Sequence, residues 1–270
     1  MNEHEKGQVA ASAAAIYEQF FVPALFAEWP MHVLKAAQVQ AGDSVLDVAC
    51  GTGILAREAA NLVGAAGSII GIDINEGMLA VAEQKAPNIT WQAAPAESLP
   101  FETGSFDRVV SQFGLMFFQN QIKALAEMER VLRPGGKAAV AVWGSLVATP
   151  GYAVVADILD ELFGAKVAQS IQVPYALGDK AKLAALFTQA GLDDLTIYTI
   201  TGTVRFASIE AWIYTDIKGW TLADVIDEEG YERLKHDAPQ KLAQFVQADG
   251  TVVFPAPAHI VTFSKCSQIS

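Results

Sequence analysis

Cysteine, histidine and basic residues are scarce in this 270-residue chain, and each shortage excludes a class of function. Its two cysteines, Cys50 and Cys266, argue against a disulfide framework and fit a reducing compartment. No cluster of Cys, His or carboxylates has metal-ligand spacing, so no metal site is expected. Eighteen Lys and Arg stand against thirty Asp and Glu, a formal charge of -12. Without a basic stripe to displace counterions from phosphates, nucleic acid is not an expected partner. The acidic balance instead keeps a rather apolar chain in solution. No apolar run approaches the ~18 residues of a membrane span, and Pro23, Glu28 and Pro30 interrupt the best early stretch. The polar, charged start lacks the basic-then-apolar pattern of a secretory signal. The expectation is a cytoplasmic protein with no membrane segment, and its length is ample for a large core.

What is present is concentrated in nine residues, Val45-Leu46-Asp47-Val48-Ala49-Cys50-Gly51-Thr52-Gly53. Ser44 to Val48 reads as a buried parallel strand that breaks into a glycine turn, and Ile54 to Ala60 has helical character. Strand, turn and helix form a crevice at a strand's C-terminal edge, where nucleotide-type ligands bind in open α/β sheets. A side chain at Gly51 or Gly53 would fill the space a ligand needs to reach the backbone.

The rest of the chain repeats the alternation. Residues 8–40 look helical with a break near Pro23, and Ala41-Gly42-Asp43 leads into the first strand. Ser68 to Asp73 is a second strand ending on an acid, and Asn75 is placed to cap a helix over Glu76 to Lys85. Ile89 to Ala93 and Ser105 to Ser111 are strands three and four. A helix follows around Gln121 to Leu132, then an Arg133-Pro134-Gly135-Gly136 turn and a fifth strand, Lys137 to Trp143. Strands alternating with helices predict an α/β, doubly wound, mostly parallel sheet. Farther on, residues 145–176 are helical with loops, and a helix over Asp179 to Ala190 stops at Gly191. Leu195 to Phe206 and Thr251 to Phe263 alternate like strands. The helical stretch between them, Ile209 to Val246, is longer than a hairpin needs.

In order and spacing, these segments resemble the motifs of the class I S-adenosylmethionine-dependent methyltransferases. Val45 to Gly53 resembles the first motif, and Gly71-Ile72-Asp73-Ile74-Asn75 with Met78 the second. Ala96-Glu97-Ser98-Leu99-Pro100-Phe101 and Phe106-Asp107-Arg108-Val109-Val110 resemble the third and fourth, and Arg130 to Lys137 the turn before strand five. The match runs over residues 41–143, and the subgroup it is most similar to includes the quinone-biosynthesis C-methyltransferases. The resemblance implies a seven-stranded sheet with an antiparallel last strand and helical lid insertions. It divides the chain into an N-terminal helical cap (1–40), a cofactor-binding core (41–144), a helical insertion (145–176), the rest of the sheet (177–206 and 249–270) and a substrate lid (207–248).

The same resemblance assigns cofactor contacts. Asp73 would accept hydrogen bonds from both ribose hydroxyls, or else cap a helix. Ala49, Gly51 and Gly53 would admit the methionine part close to the backbone. Asp47 would orient that turn or meet the cofactor's ammonium, or merely cap the next helix. Ile74 and Met78 would pack on adenine, although Met78 also suits a helix core. The Ala96 N–H would face the adenine edge, the carbonyl of Ser111 or Gln112 the ammonium, and Phe113 the transferred methyl. Many relatives carry glycine where Ala49 stands, and an acid where Pro95 stands. Pro95 can neither accept nor donate there, which leaves the backbone, Glu97 or water to recognise adenine. Gly51 to Ala56 also fits the dinucleotide fingerprint G-x-G-x-x-A, but Asp47, Leu99-Pro100-Phe101 and the Arg133 to Gly136 turn weigh against that reading.

The expected activity is therefore methyl transfer from S-adenosylmethionine to a small molecule, at oxygen, nitrogen or carbon, leaving S-adenosylhomocysteine. A macromolecular acceptor, or cofactor binding without catalysis, stays open at this point, as does the oligomeric state. None of His4, His32, His236 and His259 sits in a motif, and no catalytic residue is assigned. His259 in the last strand is either a base or a satisfied core histidine. Phe117, Trp143, Tyr175, Trp212, Tyr214 and Trp220 are candidate walls for an apolar or aromatic acceptor, with Tyr17 and Phe21 closing over the methionine end.

Overall fold

In a computed structural model, which describes residues 11–219, 222 and 225–266, the short apolar runs become seven strands of one sheet. They are β1 (Ser44–Val48), β2 (Ser68–Asp73), β3 (Thr90–Ala93), β4 (Phe106–Gln112), β5 (Leu132–Trp143), β6 (Thr196–Phe206) and β7 (Val252–Ser264). Val45, Leu46 and Val48 are fully buried, as a central strand covered by helices on both faces requires. The order is β3-β2-β1-β4-β5-β7-β6, with Leu46 paired to Ile70 on one side and to Val109 on the other. Strand order reverses between β1 and β4, so the crevice at their C-terminal ends is the expected place for a ligand. β7 runs antiparallel to both β5 and β6, and the expected α/β sheet with an antiparallel last strand is the one observed.

The helices bury their predicted stripes. α3 (Ile54–Val63) buries Leu55, Ala56, Ala59 and Val63, and α5 (Gln121–Val131) buries Ala124, Leu125, Met128 and Val131. α4 (Glu76–Lys85) is capped by Asn75, whose Oδ1 accepts the Met78 N–H at 3.1 Å. Two boundaries differ from the sequence reading. Helix α5 ends at Val131, and Arg133 to Gly136 forms a bulge inside β5, where pairing jumps from Phe106–Leu132 to Arg108–Lys137. Hydrogen bonds to Lys265 hold that bulge, from the Gly135 N–H and to the Gly136 carbonyl. The second difference is near Pro23. After α1 (Ala11–Ile16) the chain does not break there but winds as a π-helix from Tyr17 to Phe26, turning only before α2 (Pro30–Ala36). Pro23 has no N–H to give, and the wider winding carries the helix past it.

Beyond β5 lie α6 (Pro150–Phe163), α7 (Ala165–Gln172) and α8 (Lys180–Gln189), the last capped by Asp179. α9 (Ile209–Lys218) and α10 (Glu228–Leu242) fill the connection from β6 to β7. Because Phe206 pairs with Val252 and Trp143 with Ala258, this connection leaves the sheet at the edge where β1 and β4 also end. Among the described residues no helix is long and apolar enough to cross a membrane.

Candidate active site

β1 ends at Val48 and the chain turns at once. Ala49 (φ 59°), Gly51 (φ 54°) and Gly53 (φ 85°) are all left-handed. For alanine this conformation costs roughly 1–2 kcal/mol, and Gly114 makes the room: a Cβ there would lie 2.6 Å from that of Ala49. The turn is fastened to the end of β2. The Cys50 N–H donates to the Ile72 carbonyl, and the Gly51 N–H to Asp73 Oδ2 at 2.8 Å. Asp73 Oδ1 accepts from the Asn75 N–H at 2.8 Å, so one carboxylate spans two turns. Burial raises its pKa, against the pull of the Asn75, Gly51 and Ile74 N–H groups.

Around this turn opens a cavity of about 160 Å³. Its lining includes Asp47, Ala49, Gly51, Asp73, Ile74, Met78, Glu97, Gln112 and Phe113 among the residues named from sequence. Ala96 and Ser111 are buried beside it without lining it. Gly53 has a different reason to be glycine than the expected one. A Cβ there would stand 2.4 Å from the Trp91 ring, so it makes room for packing and not for a ligand. At Gly51 a Cβ would meet nothing within 4 Å and would project into open space, as expected for a ligand cradle. Met78 is 6% exposed and packs with Tyr17, while Ile74 is 53% exposed. Pro95 is exposed, and the acid at this edge is Glu97, whose Oε1 accepts from the Asn120 N–H.

Asp47 is the most exacting feature. It is 1% exposed, and neither carboxylate oxygen has a hydrogen-bonded partner among the described residues. The donor that acts on it is the Ala56 N–H in the first turn of α3, a helix that Gly53 leaves without a side-chain cap. Burial pushes its pKa well above the ordinary range, with the Ala56 N–H pulling down and Asp73 pushing up. Thr52 Oγ1, Ser111 Oγ and Gln112 Oε1 are also buried and unpartnered. A buried carboxylate that faces a cavity, with neither oxygen in a well-formed hydrogen bond, fits a cationic amine. The π-helix closes one side: Arg57 donates to Glu18 at 2.9 Å, and Gln112 Nε2 to the Phe26 carbonyl at 3.2 Å. Tyr17 and Phe26 line the cavity from that helix.

A second, apolar cavity of about 30 Å³ shares Phe26 and Trp143 with the first. Phe21, Leu25, Tyr152, Ile171 and Tyr175 line it, and Asp216 of α9 stands in its wall. Asp216 is 3% exposed, its Oδ1 accepts the Tyr152 hydroxyl at 3.1 Å, and burial pushes its carboxyl up to about 8. Sequence reasoning missed it, along with Tyr152 and the cavity-lining Cys50. The available signal was an acid on the buried stripe of α9, between Trp212 and Ile213 on one side and Ile217 on the other.

Of the predicted acceptor walls, Phe117 and Trp143 line the first cavity, Trp143 and Tyr175 the second. Trp212 is a fully buried core residue, and Tyr214 packs edge-on against Phe20. Trp220 and His4 lie outside the described residues. His259 is a satisfied core histidine. Its Nε2–H donates to the Gly178 carbonyl at 3.0 Å, and Nδ1 takes the Thr199 hydroxyl at 2.9 Å.

Residues 45–136 match the family described as a methyltransferase domain. The demethylmenaquinone methyltransferase of Staphylococcus carnosus is 35% identical over 190 residues, 65% of this chain and 78% of the relative. The ubiquinone/menaquinone biosynthesis C-methyltransferase of Hahella chejuensis is 35% identical over 192 residues, covering 65% and 77%. Among solved structures, phosphoethanolamine N-methyltransferase 2 of Haemonchus contortus with bound S-adenosyl-L-methionine is similar at TM-score 0.62. It is 21% identical and covers 96% of this chain and 58% of that one. The YcgJ protein of Bacillus subtilis is similar at TM-score 0.56 and 19% identity, covering 87% and 96%.

Proposed function

The chain belongs to the class I S-adenosylmethionine-dependent methyltransferases, and from that premise we propose that it methylates the reduced form of a small quinone-type ring. The observation that carries this reading is the apolar, aromatic-walled cavity that shares Phe26 and Trp143 with the cofactor cavity. The similarity to demethylmenaquinone and ubiquinone/menaquinone methyltransferases supports the same acceptor class.

The residues present fit the cofactor. Asp47 would meet its ammonium, Asp73 its ribose hydroxyls, and Ile74 and Met78 its adenine, with Glu97 at the edge where Pro95 offers nothing. S-adenosylmethionine supplies an electrophilic methyl group on a sulfonium. The protein's own share is to hold the acceptor in line with that methyl and exclude water, a positioning effect worth up to roughly 7–11 kcal/mol. An oxidised quinone ring is electron-poor and a poor nucleophile toward a methyl electrophile, whereas the dihydroxy form has a nucleophilic ring carbon. The acceptor is therefore the quinol, and transfer is to carbon.

With a formal charge of -12, a polyanionic acceptor is disfavoured. The two free thiols fit a reducing compartment, and the proposal includes a cytoplasmic location. The test has two parts. Calorimetric titration with S-adenosylmethionine, S-adenosylhomocysteine, NADH and NADPH should show binding of the two sulfur nucleosides alone. Anaerobic incubation of the loaded enzyme with a naphthoquinol bearing one free ring position should give the ring-methylated product. Transfer only to amines, or only to the quinol oxygen, would overturn the acceptor assignment.

A further inference from the structure

We propose that Asp216 takes up the proton of the acceptor's ring hydroxyl, with the hydroxyls of Tyr152 and Tyr175 beside it, and is thereby a catalytic residue of the reaction. This rests on the quinol reading above and deepens it. The second cavity is apolar along the π-helix, where Phe21, Leu25 and Phe26 face it, and polar where α6, α7, α9 and the Val173–Tyr175 turn contribute Tyr152, Ser170, Asp216 and Tyr175. There Tyr152 donates to Asp216 Oδ1 at 3.1 Å, and the Tyr152 and Tyr175 rings stand 6.1 Å apart. A buried carboxyl in an apolar wall is costly to keep without a purpose. Nothing in the packing of α9 requires it, since Trp212, Ile213 and Ile217 already bury that face.

The chemistry closes on this group. When the ring hydroxyl gives its proton to the Asp216 carboxylate, the electron pair left on oxygen raises the nucleophilicity of the ring carbon. The carbon–carbon bond to the methyl forms as the methyl–sulfur bond breaks, and that pair goes to sulfur. The methylated carbon then loses its hydrogen to solvent as a proton, the ring regains aromaticity, and Asp216 returns the hydroxyl proton. One proton leaves per methyl transferred.

The groups facing Asp216 are Tyr152 from α6, Ser170 from α7, Tyr175 from the turn and Trp212 on its own helix. Burial holds its carboxyl up to about 8, with the Tyr152 hydroxyl and Trp212 indole pulling the other way, and no cation among the described residues acts on it. The base form therefore increases through neutral pH and kcat/KM should rise with it.

The test compares wild type, Asp216→Asn and Tyr152→Phe. Asp216→Asn keeps the shape and can still accept from Tyr152. It should lower kcat/KM for the quinol by about 100-fold, the low end of what a positioned proton acceptor supplies, and leave S-adenosylmethionine affinity within twofold. The rising limb of the pH profile should vanish. A phenol already ionised at the assay pH should be methylated by both proteins at nearly the same rate. Tyr152→Phe should shift the limb to higher pH without abolishing it. Equal slowing on the ionised and un-ionised acceptors, or an unchanged pH profile, would overturn the proposal and leave the quinol reading standing. A wild-type enzyme that methylates no hydroxylated ring would overturn both.

Discussion

The ring of Phe113 lies flat on the indole of Trp143, centroids 3.8 Å apart and planes 6° from parallel. Phe113 follows β4 with a left-handed φ of 58°, unusual for a bulky residue, and its N–H is held by the Ala141 carbonyl at 2.9 Å. The stack thus fixes a strained corner where the two cavities meet. Trp143→Ala should lower unfolding stability by about 3–5 kcal/mol, the usual cost of emptying a large aromatic site. It should also raise KM for the acceptor, since the shared wall is lost. Denaturant unfolding and steady-state kinetics check both, and Trp143→Phe should lose less of each.

Asp73 ties the Gly51 and Asn75 N–H groups while lining the cavity. Removing it deletes the proposed ribose contacts and loosens the glycine turn together. Hydrogen bonds to a charged group contribute about 1.5–3 kcal/mol each, so Asp73→Ala should weaken S-adenosylmethionine binding at least tenfold in a calorimetric titration. Unchanged affinity would remove the ribose assignment.

Gly51 and Gly53 share a backbone conformation but not a constraint, and their alanine variants should separate. Gly53→Ala drives a methyl into Trp91, whose indole N–H is fixed to the Ala86 carbonyl at 3.0 Å. Overpacking of this kind costs typically about 1–3 kcal/mol, so the variant should melt earlier. Gly51→Ala meets open space and should pay only the left-handed strain. Its larger effect should be on cofactor affinity. Thermal unfolding and calorimetry on the two variants check the contrast.

The core sheet was legible because central parallel strands read as mostly apolar runs between turn signals, as Val45 to Val48, broken only by Asp47, and Val140 to Trp143 do. The cofactor turn was legible because glycine and a strand-ending acid recur at fixed spacing. The role of Gly53 was not, since it depends on Trp91, a residue of another strand. The winding through Pro23 was hidden for a similar reason: a proline signals a missing donor, but not whether tertiary packing keeps the helix going. Asp216 was hidden because a lone acid in a helix is usually solvated. Only the packing of α9 shows that its face turns inward over the second cavity.

The resembling Leu99-Pro100-Phe101 and Arg130 segments meet in space. Arg130 donates to the Leu99 and Phe101 carbonyls at 3.1 and 2.8 Å, and Glu127 accepts the Leu99 N–H at 2.9 Å. Arg130→Met leaves those groups unpaired at a part-buried site, and about 1–2 kcal/mol should be lost after solvent screening. The Arg130 hydrogen bond holds the Glu127 carboxyl below its usual range. Its contribution is present above the unfolded pKa and lost as pH falls through the folded one. The gap between variant and wild type should therefore narrow in acid, which urea midpoints at neutral and low pH check.

Asp47 carries the opposite sign. Its carboxyl is raised well above the ordinary value by burial, so the unfolded chain ionises at lower pH than the folded one. Between those two values the folded state holds the extra proton, and stability falls as pH rises. Asp47→Asn removes that loss. The ligand-free variant should match wild type near the unfolded carboxylate pKa and exceed it increasingly toward alkaline pH. The same substitution should weaken S-adenosylmethionine binding, because this buried, cavity-facing acid is the partner proposed for the cofactor's ammonium. Urea midpoints across pH, with and without S-adenosylmethionine, separate the two effects. A variant stabilised without ligand yet gaining less from ligand would identify Asp47 as a residue kept for binding at the expense of the fold. If ligand stabilised both proteins equally, the ammonium assignment would be lost even with the pH trend intact.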